Sequence, residues 1–464
     1  MKTQKRGSIE ELQEFLEQHP RVKMVELLLP DINGILRGKR IGRDELETLY
    51  RQGLKMCAST PFVDSRGEIT FDIGIGTRDG DPDIMSYPVA GTLAPVPWLG
   101  ASSIAQVFVS LHDLEGAPWY ADPRHVLVRV CEKLRESGLR AVIAAEFEFY
   151  LLEPGDSATP RPWLGSIPGT GLKQEGLQYG AMEDLWECDS FLVDVHQYCE
   201  AQNVPANTAL PEFSPGQFEI NLHHEDDPVS ACDHGAMLKR IIKGTAFKHG
   251  LGAAFMAKPF VDHSGSGLHI HVSLLDEQGN NVFADSEAMT SPAVSPTLEH
   301  AVGGLQQTMA EAMAVFAPNA NSYRRLQPES FVPLSPNWGY NHRAVALRVP
   351  VSGNQDMRIE HRVAGADANP YLVAAAILAG IHYGITGQCE PTEMIAEGTL
   401  IDKQEITLPR RWDAALDRFG NSAILPEYLG EEFCRVYEIV RRSECDRFHE
   451  QVSNRDYEWY LRGV

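Results

Sequence analysis

The chain of 464 residues lacks any CxxC pair: its eight cysteines fall singly at 57, 131, 188, 199, 232, 389, 434 and 445. That spacing speaks against a zinc site or a disulfide frame and predicts reduced thiols in a cytoplasmic protein. Basic residues are scarce, 41 Lys and Arg against 64 Asp and Glu. The resulting net charge of -23 argues against nucleic acid or an anionic membrane surface as the main partner. It does not exclude a phosphate substrate, because a local basic cluster or bound metal ions override the global field. No apolar run long enough to span a bilayer is expected, and residues 1–19 carry no apolar core of signal-peptide length. Internal repeats and low-complexity tails are lacking too. What is there is an ordinary globular composition, 43% apolar and 23% charged, with length enough for two or three domains.

The pattern is that of an α+β protein. Residues 8–19 read as a short amphipathic helix. Two β-rich runs, 22–29 and 35–41, flank a turn at Pro30-Asp31-Ile32-Asn33-Gly34, which is a hairpin signature. Asp44 is placed to cap a helix ending near Gln52, and 107–111 reads as the last strand of a small unit. A boundary is expected near 113, giving domains 1–113 and 114–464. Beyond it, helices are expected at 123–137, 183–202, 229–250, 296–316, 369–385 and 431–452, with a strand at 141–152.

Three stretches carry candidate chemistry. In Leu268-His-Ile-His-Val-Ser-Leu274, strand alternation puts His269, His271 and Ser273 on one face, directly after a Gly/Ser-rich loop whose amides can approach a ligand. A polar-faced edge strand would read the same way. Glu146 and Glu148 likewise share a strand face opposite Phe147 and Phe149; a solvated face is the alternative, although the flanking residues look buried. Glu212 and Glu219 bracket a Pro-Gly turn. Arg358, Glu360 and Arg362 alternate on one face, either as a surface ion ladder or as part of a site. Carboxylates with a histidine and no thiolate suit Mg²⁺ or Mn²⁺, and arginines on the same elements suit a polyanion held between metal and guanidinium, as phosphoryl transfer requires.

Taken in order, these motifs are recognisable. Glu146-Phe-Glu148, Glu212…Gly216-Gln-Phe-Glu219, Lys258-Pro…Gly265-Ser-Gly-Leu-His269-Ile-His271-Val-Ser273, Asn321-Ser-Tyr-Arg-Arg325, Arg343…Arg348-Val-Pro and Arg358-Ile-Glu360-His-Arg362 together resemble the class I glutamine synthetase family over essentially the full length. The resemblance implies a small N-terminal β-grasp domain, a large catalytic domain with an antiparallel sheet, and two stacked six-membered rings with active sites between subunits. It implies a metal held by Glu148, Glu212 and Glu219 and a second held by Glu146, His269 and Glu360. His271, Ser273 and Arg358 would line the ATP site, and Arg325, Arg362 and the backbone of Gly265 would hold glutamate. Arg343 and Arg348 would stabilise the transferred phosphoryl group.

Two departures bear on the third substrate. Ammonium-using members carry an Asp where this chain has Ala58, and an acid in a flap where it has Phe331, with Glu329 two residues earlier. Ala58 and Phe331 leave room and an apolar wall, which suits a larger primary amine. The expectation is therefore an ATP-dependent glutamate–amine ligase similar to γ-glutamylpolyamine synthetases. A glutamine synthetase with a rebuilt ammonium site and a catalytically silent scaffold are the alternatives. Ser264 stands where the family usually has Asn. No tyrosine falls between Gly384 and Glu427, so the adenylylation site of many class I members is absent.

Overall fold

The computed structural model describes residues 6–76, 78–100, 103–155, 159–285, 294–328, 331–399 and 406–464. Its first sheet holds β1 (Met24–Pro30), β2 (Leu36–Gly42), β3 (Leu54–Cys57), β4 (Asp83–Pro88), β5 (Ala94–Pro95) and β6 (Ile104–His112). The order is β2-β1-β6-β4-β3, with β5 also on β6. β1 and β6 run parallel and the other pairs antiparallel. The predicted hairpin is β1–β2. Its turn is set by Asp31, whose carboxylate accepts from the Asn33 and Ile35 amides at 2.8 and 2.9 Å, with Gly34 at φ +73°.

Alternation gives this sheet two buried faces. Val25, Leu27 and Leu29 pack with Leu12 and Phe15 of helix Ile9–Gln18 and with Leu46 and Leu49. Leu28 and Phe108 face the other way, into the main core. The first unit is also gripped from the far end of the chain. Arg441, fully buried in helix Glu431–His449, donates to Asn33 Oδ1 at 2.6 Å and to the Ile32 carbonyl at 3.1 Å.

The second sheet holds β7 (Arg140–Leu152), β8 (Ala206–Pro211), β9 (Gln217–Leu222), β10 (Gly252–Ala254), β11 (Leu268–Leu275), β12 (Trp338–Tyr340), β13 (Leu347–Val349) and β14 (Ile359–His361). Its order is β12-β13-β14-β11-β7-β9-β8, with β10 on β7. Only β12 and β13 pair in parallel. β7, thirteen residues long, is the spine. Phe147 and Phe149, both fully buried, point from it into a core built with helices Pro228–Lys248, Pro296–Phe316 and Pro370–Gly387.

Three expectations need correction. Helix 183–202 is two helices, Glu183–Glu187 and Asp189–Ala201, parted at Cys188, whose backbone (φ -100°, ψ 13°) leaves the helical region. Asp44 caps nothing; it lies inside a 3₁₀ turn, Arg43–Glu45, that leads straight into the helix at Leu46. Pro370–Gly387 is long and apolar enough by composition to cross a membrane, although no such run was expected. Here it is a core helix, with 78% of the segment buried inside the protein. The eight cysteines are all unpaired.

Candidate active site

One face of the second sheet gathers the candidate residues, and register decides which of them meet. His269 lies opposite Glu146, and His271 opposite Glu360. Glu148 lies opposite Glu219, and Arg348 opposite Glu360. β11 is an internal strand between β14 and β7, not an edge. Glu360 is 1% exposed and His269 7%, so a surface ion ladder does not describe the Glu360 strand; Glu146 and Glu148 are partly buried and face these residues rather than open solvent.

Glu148, Glu212 and Glu219 bring ligand atoms within 4.8 Å of one another. Burial, followed by the charges of Glu146, Glu148 and Glu212, pushes the Glu219 carboxyl up to about 9. Burial and then Glu148 push Glu212 up to about 7, with Arg362 and Arg343 offsetting only part of this. Acids so placed hold protons until a cation replaces them.

The other side of the face is compensated. Burial by itself would raise Glu146, but hydrogen bonds and charge from His269 and His271 hold it well below the usual carboxylate range. Burial also opposes ionisation of Glu360, yet Arg362, His271 and His269 bring it down to about 2. Arg348 donates to Glu360 Oε2 at 2.7 Å and Arg362 to Oε1. The expected trio of Glu146, His269 and Glu360 is in reach by pairs: His269 Nδ1 is 3.3 Å from Glu146 and 3.9 Å from Glu360. The trios that close within 4.8 Å are Glu146, His271 and Glu360, and Glu146, Glu219 and His269. His271 thus stands among the carboxylates, 3.0 Å from Glu146 Oε1, while its Nδ1 accepts from Arg358 Nε at 3.2 Å. An oxygen-rich donor set with one or two imidazoles fits hard divalent cations such as Mg²⁺ or Mn²⁺.

The glycine loop enters against this cluster. A Cβ on Gly265 would meet the Ala257 carbonyl at 2.6 Å, and one on Gly267 would lie 2.7 Å from the Arg325 guanidinium. Gly267 N–H donates to Glu148 Oε2 at 2.8 Å. Arg325 is buried and donates to the Val363 carbonyl at 2.8 Å. Ser273 donates to the Met357 carbonyl at 2.9 Å. Arg343 is exposed, within the field of Glu212. Phe331 is 71% exposed and edge-on to Phe213. Ala58 is not among these residues: it is fully buried in the core of the first unit, its carbonyl accepting from Trp119 Nε1 at 3.1 Å. Glu329 lies outside the described residues.

Two residues of this face were missed by sequence reasoning. Gln217 Nε2 donates to the Gly265 carbonyl at 3.0 Å and approaches Glu148 Oε2 at 3.4 Å, tying the loop to a carboxylate of the cluster. Tyr150 donates to the Ser264 carbonyl at 2.8 Å. Tyr150 was findable, since it continues the alternation of Glu146 and Glu148. Gln217 was findable in the same way, since it opens strand β9 two residues before Glu219 and so shares its face.

A sheet face of five carboxylates and two histidines, rimmed by arginines and a glycine loop, offers the donors to hold divalent cations beside an anion. The chain belongs to the glutamine synthetase family: residues 120–460 match the family described as glutamine synthetase, catalytic domain. It is 39% identical to gamma-glutamylputrescine synthetase PuuA of Escherichia coli (strain K12) over 463 residues, 99% of this chain and 97% of that one. It is 30% identical to glutamate–isopropylamine ligase of Pseudomonas sp, covering 99% of each. A solved structure described as apo GmaS without ligand superposes with a TM-score of 0.82 at 24% identity, over 98% of this chain and 99% of the other, which shows a shared fold.

Proposed function

We propose that this chain is an ATP-dependent ligase joining the γ-carboxylate of glutamate to a primary amine larger than ammonia. The activities named for its relatives support this, since one is a glutamylputrescine synthetase and another a glutamate–isopropylamine ligase. The observation that carries it is the rim of the site, where an aromatic pair, Phe331 against Phe213, stands beside Glu212. A compact acidic pocket would favour a small cation; an aromatic wall favours a carbon body.

In this reading the γ-carboxylate oxygen attacks the γ-phosphorus of ATP and ADP leaves. The unprotonated amine then attacks the acyl carbon, phosphate departs and the nitrogen sheds a proton, giving the γ-glutamyl amide. Glu148, Glu212 and Glu219 would hold one divalent ion, and Glu146, His269 and Glu360, with His271 beside them, would hold another. Such ions, when bound, neutralise phosphate charge. Arg325, Arg362 and the Gly265 backbone grip glutamate. His271, Ser273 and Arg358 line the nucleotide. Arg343, exposed near Glu212, and Arg348, bonded to Glu360, face charge that develops on the transferred phosphoryl group.

The chain divides near residue 113, builds two stacked six-membered rings, and works in the cytoplasm in amine catabolism. Phosphate release from ATP, with glutamate and Mg²⁺ or Mn²⁺ across a panel of ammonium and primary amines, tests the activity. One amine far above ammonium is expected; ammonium as the best acceptor would overturn the reading. Phe331→Glu at the exposed rim should shift preference toward ammonium, and an unchanged ratio would mean that the amine site lies elsewhere; Ala58→Asp is left out of this test because Ala58 is fully buried in the first unit.

A further inference from the structure

Three aromatic rings meet at the rim of the carboxylate cluster. Phe213 follows Glu212 in sequence and stands edge-on to Phe331, with centroids 5.2 Å apart and planes at 63°. Tyr179 lies 6.5 Å from Phe213. The backbone that bears Tyr179 is stitched in place. Gln178 N–H donates to the Phe213 carbonyl at 3.3 Å, and Gly180 N–H to the Pro211 carbonyl at 3.0 Å, so Tyr179 is held across from Glu212. Buried Gln178 adds a bond from Nε2 to the Gln217 carbonyl at 2.6 Å. The Glu212 carboxylate accepts from the Phe213 amide at 3.0 Å.

None of the three rings belongs to either hydrophobic core. Phe331 is 71% exposed and Tyr179 58%, so packing alone does not account for them. An apolar patch of touching rings over a polar, acidic floor is what a site for a small amphipathic molecule requires.

Resting on the ligase reading above, we propose that Phe213 is the specificity residue that reads the carbon body of the acceptor amine. The nitrogen sits at Glu212, and the methylenes run across Phe213 between Tyr179 and Phe331. The substrate class is an unbranched primary alkylamine or diamine, because ring faces accept hydrocarbon along the chain and a cation at its far end. Ammonia has no carbon body and gains nothing from these rings.

The test measures kcat/KM of the full-length, assembled protein with glutamate and ATP for ammonium, methylamine, ethylamine, propylamine, butylamine and 1,4-diaminobutane. In the wild type each added methylene should raise kcat/KM by roughly threefold to fourfold. Phe213→Ala should flatten that slope, so that butylamine loses about tenfold to 100-fold against methylamine. Phe213→Leu, which keeps an apolar surface, should recover much of it. The slope is a ratio within one variant, so a smaller folded fraction cancels. An unchanged slope in both variants, with amines still preferred over ammonium, overturns this inference and leaves the ligase reading standing. Equal loss on every acceptor, ammonium included, also overturns it and assigns Phe213 to holding Glu212. Ammonium as the best wild-type acceptor overturns the ligase reading itself.

Discussion

The two halves of the acidic face carry similar residues and opposite electrostatics. Around Glu219 and Glu212, buried carboxylates face one another, and their protons are held up to about 9 and about 7. Around partly buried Glu146 and almost wholly buried Glu360, the carboxylates are brought down by His269, His271 and Arg362, and Arg348 donates to Glu360. One half is completed only by an added cation; the other is largely neutralised by the protein itself. Burial is common to both, so the difference is one of neighbours.

The largest effect expected from this contrast is at Glu360. Glu360→Gln takes from partly buried Arg348 and buried Arg362 the carboxylate charge they share and should cost about 3–5 kcal/mol of stability, read by chemical denaturation without metal. A loss below about 1 kcal/mol would mean that the arginines find water instead.

Glu219→Gln should act with the opposite sign. It removes a repelled carboxylate, so the metal-free protein should melt higher than wild type. It should also weaken Mn²⁺ binding by more than about 100-fold, beyond the range typical of a residue that only orients a ligand. Calorimetry and melting curves on the same samples decide this, and a destabilised metal-free variant would contradict the repulsion.

A subtler effect follows from pH. Glu219 and Glu212 titrate higher in the folded than in the unfolded chain, where the usual value is 4.5. Between those values the folded state binds more protons, so these two groups lower stability as pH rises from about 4.5 toward 9. Metal displaces the protons. The gain in melting temperature on adding Mn²⁺ should therefore grow from pH 6 to pH 9, and binding near pH 7 should release protons, detected as a dependence of the binding enthalpy on buffer ionisation. A metal-induced gain independent of pH would remove the distinction between the halves.

Much of the site was legible because alternation along a strand is a local property. It placed His269, His271 and Ser273 together, and Glu146 with Glu148, before any partner strand was known. The same logic correctly read the Asp31–Gly34 turn, since an Asx-type bond and a positive φ need only nearby atoms. It failed at Cys188, where a continuous apolar pattern hid a break in the backbone. It failed as well on the grip of Arg441 on that same turn, which joins residues some 408 positions apart.

By itself, then, the sequence determined which side chains share a face and which carboxylates, imidazoles and guanidiniums that face presents. Only the tertiary structure decided that Glu148 meets Glu219 while Glu360 meets Arg348, because these pairings depend on which strands lie side by side and in what register. Only it brought Tyr179, Phe213 and Phe331 into one patch from three separate loops. A carboxylate's charge state depends on the few ångströms around it, and in a sheet those are filled by residues far away in the chain.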